Sequence, residues 1–286
     1  MEPIGIVSLL IIVINVYVSY KGLADHQFFD DYSFEVDKVL IGQDYKRLIT
    51  SGFLHVNWMH LLLNMASLYA FSVGLEQFLG ASNFLIIYFG SLIGGNLFSL
   101  FIHRHHGDYS AVGASGAMCG VIFAAIAIFP GMSIGFLCVS LYIPAWLYGI
   151  LFVLYSIYGI KSKSDNIGHE AHLGGALVGM IAAIIMQPAS LIQNYLPIIL
   201  IAVPSVFFIY MIIKRPEFLL IDNYFSNTHK YYSVEDKYNS NKNSKQKEID
   251  RILEKINEKG IDRLTKSERA FLEGFAGKDS VKEGNR

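Results

Sequence analysis

A serine becomes a nucleophile only beside a base, and near neutral pH the ordinary base is an imidazole. Two residues of this chain fit that pairing. Ser115 lies in Gly113-Ala114-Ser115-Gly116-Ala117 and His172 in Ala171-His172-Leu173-Gly174-Gly175, each at the head of an apolar run. At a helix start the backbone N–H groups lack intrahelical partners and the dipole favours negative charge, which suits a reacting serine. The plain alternative for Ser115 is an N-cap. Gly116 and Gly120 in one run, and Gly175 and Gly179 in the other, have the small-xxx-small spacing that lets two helices approach until their side chains touch. Direct hydrogen bonding between Ser115 and His172 is then possible. An earlier run opens after His55 and carries His60 and Asn64 four apart on one helix face, with Ser67 a turn further on. Ionisable and polar groups are costly inside a membrane helix and mark function unless a partner explains them. The partner explanation for His60 and Asn64 is a hydrogen bond that holds helices together.

Metal chemistry competes weakly. His169-Glu170-Ala171-His172 looks like a zinc signature, but H-E-x-x-H needs histidines four apart and these are three apart. His103, His105 and His106 read as a solvated loop cluster. We expect no metal and no cofactor, and there is no nucleotide-binding glycine loop. Asp165 and Glu170 are near His172 in sequence, yet a residue two positions away on a helix points elsewhere, so the spacing predicts a Ser-His dyad without a third acid. Cys119 and Cys138 lie in or beside apolar segments and read as buried apolar residues with no disulfide.

The elements that must position these groups are membrane helices. The chain has 286 residues, 53% of them hydrophobic, with a mean hydropathy of +0.40. The apolar residues fall in blocks of the length a bilayer requires. Those blocks are residues 4–20, 58–76, 84–102, 114–130, 142–160, 170–187 and 196–213. The last contains Pro197 and Pro204, which fit either a spanning helix or a re-entrant stretch. No Lys or Arg precedes the first block, so it reads as a retained segment and not a secretory signal. A net charge of -1 gives no reason to expect nucleic acid as a partner. Residues 21–57 form a long connection rich in aromatic and apolar residues, expected to lie partly in the membrane interface. After Lys214 the chain turns polar: residues 214–247 read as a linker and 248–286 as a soluble helical hairpin, with helical spacing at Ile249, Ile252, Leu253 and Ile256, then a capping box from Thr265 to Glu268. The hairpin is an expected docking element for an unknown partner.

Taken together, G-A-S-G, A-H-L-G-G and H-x-x-x-x-H-x-x-x-N, in their observed order, resemble the rhomboid intramembrane serine proteases over about residues 1–190. The resemblance implies an all-α integral membrane protein: a rhomboid-like six-helix bundle, here followed by a seventh transmembrane helix within 191–213. It implies that Ser115 attacks a peptide carbonyl, that His172 takes its proton, and that His60, Asn64 and the Ser115 N–H form the oxyanion hole. The implied activity is endopeptidase cleavage in or near the transmembrane segments of other membrane proteins. Arg47 matches the arginine of the family's Trp-Arg loop motif, with Lys46 where tryptophan is usual, and Gly74 and Glu76 match a structural feature of the family. Cys119 stands where relatives often place an aromatic ring against the histidine. Polar stripes alone would also fit a pseudoprotease, a membrane chaperone or a transporter; retention of both Ser115 and His172 favours the protease.

The expected location is a multi-pass position in the cell (inner) membrane, surrounded by lipid. Family topology puts the N-terminus in the cytoplasm and the Ser115 end of its helix outside. The positive-inside rule argues for the inverse, because Lys21, Lys38, Lys46, Arg47, Arg104, Lys161 and Lys163 all fall on the Ser115 side. The long, acidic loop weakens that rule, and the family topology is the reading we carry forward.

Overall fold

The computed structural model describes residues 4–129, 131–136, 139–162 and 167–214, together with Ile252, Lys255 and Ile256. Every apolar block read from the sequence is a helix: α1 (Ile6–Ala24), α5 (Trp58–Leu79), α6 (Ala81–His103), α7 (Ser115–Ile128), α8 (Ala145–Ser162), α9 (His169–Met186) and α11 (Tyr195–Lys214). Between α1 and α5 run the short helices α2 (His26–Tyr32), α3 (Val36–Leu40) and α4 (Arg47–Thr50), and α10 (Ser190–Gln193) precedes α11. Six of these helices are long and apolar enough to cross a membrane. The chain is an all-α integral membrane protein, and α11, where a seventh span was expected, has the length and composition for one.

The fourth block departs from expectation. Its helix α7 has 14 residues, about 21 Å at 1.5 Å per residue, which is short of a hydrocarbon core of about 30 Å. From Gly116 to Ile128 every residue is buried, so α7 is the axis of the bundle, wrapped by its neighbours and not by lipid. A helix this short begins or ends below the membrane surface. The fifth block also starts later than expected, at Ala145 and not at 142. Pro144 disfavours helical backbone at Ile143, and the residues before it pair instead as β3 (Ser133–Phe136) with β4 (Val139–Pro144). In that hairpin Gly135 faces Tyr142, whose ring covers it. A second small antiparallel pair joins β1 (Phe34–Glu35) to β2 (Ser110–Ala111). Of the tail, the unit formed by residues 223–286 is described only at Ile252, Lys255 and Ile256, all helical. The linker and hairpin expected over 214–247 and 248–286 otherwise lie outside the described residues.

Glycine backbones let α6, α7 and α9 meet. A methyl group at Gly175 would collide with the Gly116 backbone, one at Gly179 with Gly120, one at Gly95 with the Ala171 carbonyl, and one at Gly174 with Phe98 and Gly95. In lipid, helix association rests on close packing, because the tails are as apolar as leucine. Polar side chains tie the rest. The Glu76 carboxylate of α5 accepts from the Val7 and Ser8 N–H groups and the Ser8 hydroxyl at the start of α1. A carboxylate from another helix therefore caps α1 and meets its dipole.

Gly179→Ala should destabilise the fold by about 1–3 kcal/mol, the usual cost of forcing extra atoms into a packed contact. Gly74→Ala should instead be neutral or stabilising by up to about 1 kcal/mol, because the nearest atoms to an added methyl are 3.9 Å away on Phe129 and alanine is the better helix former. Thermal midpoints in detergent measure both; the two variants should move in opposite directions or, at least, only Gly179→Ala should fall by several degrees.

Candidate active site

Ser115 is the first helical residue of α7, and the capping position belongs to Ala114, which makes no side-chain cap bond. The hydroxyl is not an N-cap. It pairs instead with His172 in the first turn of α9, with Ser115 Oγ 2.7 Å from His172 Nε2. The glycine contacts between α7 and α9 bring the two helix starts together. Where Cys119 replaces an aromatic neighbour, rings from other positions flank His172: Phe152 of α8 at 5.9 Å and His169 at 6.0 Å between centroids.

The lead-in to Ser115 is held on two sides. Gly113 N–H donates to the Ser51 carbonyl at 2.9 Å, and Ala114 N–H makes a long contact of 3.5 Å to His55 Nε2. Gly113 has φ +127, and a side chain there would strike the His60 ring at 2.8 Å. Only glycine meets both conditions. The His60 imidazole thus borders the space in front of Ser115. Its Nδ1 is buried without a partner. Asn57 caps α5 by accepting from His60 N–H at 2.8 Å, which fixes the turn that carries His60. Asn64, one turn on, is buried and donates one N–H to the His60 carbonyl at 3.0 Å. Its second N–H remains available to a ligand.

The segment over residues 26–53 anchors this geometry. Arg47 is buried; it donates to Asp44 at 2.9 Å and to the carbonyls of Asp30 at 2.8 Å and Ser33 at 2.6 Å. Lys46, in the place of tryptophan, sits over the Tyr32 ring at 5.5 Å. Asn96 of α6 donates to the Leu48 carbonyl at 2.8 Å. His55 Nδ1 lies 2.8 Å from Ser19 Oγ, which in turn donates to the Phe53 carbonyl.

His103 is not part of a solvated loop cluster, contrary to what its sequence neighbours suggest. His103 is the last residue of α6, is buried, and pairs with Glu170 at 3.0 Å. Glu170 therefore points to α6 and not to His172, as the helical spacing required. The usable signal was a histidine closing one apolar run and a carboxylate opening another, each at a position whose side chain must find a partner in a bundle. Among the described residues no group of histidines, cysteines and carboxylates could hold a metal ion.

A family model described as Rhomboid domain matches residues 42–189. A second, of a family of unknown function, matches residues 232–278. Mitochondrial Rhomboid protein 1 of Saccharomyces cerevisiae is 34% identical over 137 residues, covering 47% of this chain and 40% of that protein. Mitochondrial RHOMBOID-like protein 12 of Arabidopsis thaliana is 28% identical over 192 residues, covering 62% and 56%. Rhomboid protease GluP of Bacillus subtilis is 27% identical over 145 residues, covering 50% and 27%. The chain spans about half or less of the length of these relatives. Two of them carry a mitochondrial designation, which gives no support to the cell-membrane location expected from the sequence.

Burial, and then the neighbouring His60, lower the His55 pKa from 6.5 to about 3. The unfolded chain takes up a proton near pH 6.5 that the folded chain refuses, so the stability carried by neutral His55 is complete above pH 6.5 and declines as pH falls toward 3. The slope from this one site is at most about 1.4 kcal/mol per pH unit. Melting midpoints from pH 7 to pH 4 should fall less steeply in His55→Gln than in the wild type, although the variant starts lower for want of the imidazole contacts. Parallel curves would show that His55 does not govern acid stability.

Proposed function

Because the chain belongs to the rhomboid family, we propose that it is an intramembrane serine endopeptidase that cuts peptide bonds in or near transmembrane segments of other membrane proteins. The observation that carries this reading is the 2.7 Å hydrogen bond between Ser115 Oγ and His172 Nε2 at the starts of two packed apolar helices. His172 Nε2 accepts the hydroxyl proton as Oγ attacks the scissile carbonyl, and the carbonyl oxygen becomes an oxyanion. The N–H of Ser115 opens α7, has no intrahelical acceptor and lies at the positive end of the helix dipole. With the His60 ring and the second N–H of Asn64, it makes a set of donors for that oxygen in a half-buried site. The partnerless Nδ1 of His60 fits this role, since a neutral ring without a proton at Nδ1 carries one at Nε2, beside the space in front of Ser115. Collapse of the tetrahedral intermediate breaks the C–N bond and His172 returns its proton to the leaving amine. Water, deprotonated by the same imidazole, then hydrolyses the acyl-enzyme and regenerates Ser115. No step needs a cofactor.

The proposed partners are transmembrane substrates and the bilayer itself. Core chemistry is assigned to residues 1–190, which contain all four site residues. The tail is assigned a docking role without one in the chemistry.

Ser115→Ala and His172→Ala should each abolish cleavage of a model transmembrane substrate and labelling by a serine-directed phosphonate, while the protein stays folded in detergent. The double variant should be no worse than either, because members of a catalytic unit fail together. Undiminished proteolysis by purified Ser115→Ala would end the serine-protease reading. Asn64→Ala should lower turnover by about 10² to 10³ and leave KM nearly unchanged, the usual result of losing one oxyanion donor. A folded Asn64→Ala protein with full turnover would remove Asn64 from the oxyanion site.

A further inference from the structure

Resting on the Ser115–His172 reading, we propose that Glu170, His103 and Tyr109 form a positioning cluster, a second clasp across the same two segments that the dyad joins. Glu170 is in the first turn of α9, two residues before His172. Its carboxylate crosses to His103 Nε2 at the end of α6, at 3.0 Å, and both side chains are buried. The His103 ring stacks on Tyr109 with centroids 3.6 Å apart and planes inclined by 7°. Tyr109 belongs to the connection that runs from α6 into Ser115. Its carbonyl accepts from Val36 N–H at 3.1 Å and its ring meets Phe34 edge-on, which fixes it to the segment before α5.

The chain path from Glu170 to His172 is two residues within the first turn of α9, and from Tyr109 to Ser115 it is a short strand and turn. The cluster and the dyad hydrogen bond are therefore two cross-links between the same pair of chain segments. The glycine contacts set how close α7 and α9 lie. They do not set the rotation of the first turn of α9, or the height of the connection that delivers Ser115. A buried hydrogen bond between Glu170 and His103 on one side and a stacked ring on the other do set these. Burial, and then the neighbouring Glu170 carboxylate, hold the Tyr109 phenol well above its usual range, so its ring remains neutral. None of the three groups touches the reacting atoms; each acts through the geometry of Ser115 and His172.

The test compares full-length variants in detergent by the rate of fluorophosphonate labelling and by kcat and KM on a model transmembrane substrate, at temperatures well below each melting midpoint. Glu170→Ala should slow labelling and lower kcat by about tenfold or more, with KM within about twofold, because a displacement near 1 Å at a reacting pair costs that much. Glu170→Gln keeps an oxygen that can accept from His103 and should recover most of the loss. Asn194→Ala removes an equally buried tie, from Asn194 Nδ2 to the Ala127 carbonyl at the far end of α7, and should lower the melting midpoint without changing kcat. The proposal is overturned if Glu170→Ala has wild-type kcat, if it and Asn194→Ala lose activity only in step with melting, or if Glu170→Gln is as impaired as Glu170→Ala. Should Glu170→Ala fail to fold, Tyr109→Leu, which removes both the ring stacked on His103 and the phenol hydrogen bond to Glu170, carries the same test: slowed labelling supports the cluster and unchanged labelling overturns it. A wild-type protein that the probe does not label at Ser115 would instead sink the protease reading beneath it.

Discussion

The close approach of α7 and α9 is what the candidate site depends on. Gly116 faces Gly175 and Gly120 faces Gly179 with no room for a methyl group on the α9 partners. At that separation a serine and a histidine at the heads of two helices hydrogen-bond without extending toward each other. One added carbon in the seam would part the helices by more than a hydrogen bond tolerates, since bonds lengthened by several tenths of an ångström lose most of their worth. Lipid supplies no hydrophobic force to close the gap again.

Close helices alone would leave the reacting groups free to rotate and slide. The segments that lead into them are held by polar ties of a kind rarely left unpaired in an apolar setting. Arg47 gathers the carbonyls of Asp30 and Ser33, and the Ser51 carbonyl then receives the Gly113 N–H. His55 joins Ser19 of α1 to the backbone just before Ser115. Glu76 caps α1 from a different helix. Each tie links elements distant in the chain, so the loop between α1 and α5 acts as part of the framework that holds the site.

The short central helix bears on how the proposed hydrolysis could take place within a membrane. With 14 residues, α7 cannot reach from one face of the bilayer to the other. Its buried flanks keep lipid away, and its first turn presents N–H groups to whatever enters beside Ser115. The aromatic support for the imidazole has moved as well. Cys119 offers no ring, while Phe152 on α8 lies against His172 and packs in turn on Phe123 and Tyr148. The ring nearest His172 on this side thus comes from α8 and not from α7.

Several features were legible in the sequence because they rest on local physics. Hydropathy located every long helix, since a bilayer demands about 20 apolar residues in a row. The meeting of Ser115 and His172 was legible because each stood beside a small-residue spacing, and such spacings pair. The family resemblance added His60 and Asn64. What sequence alone left open was whatever depends on a partner far along the chain. Ser115 could have been an N-cap until α9 supplied a histidine at 2.7 Å. His103 read as solvated because its partner, Glu170, is 67 residues away. The length of α7 and the β3–β4 hairpin are not legible in the sequence, because apolar composition cannot tell a buried short helix from a spanning one and says little about how Pro144 delays the start of α8. Local composition decided which segments enter the membrane; only packing between distant helices decided which polar side chains would meet there, because inside an apolar bundle each polar group is satisfied by whichever partner the backbone brings within reach.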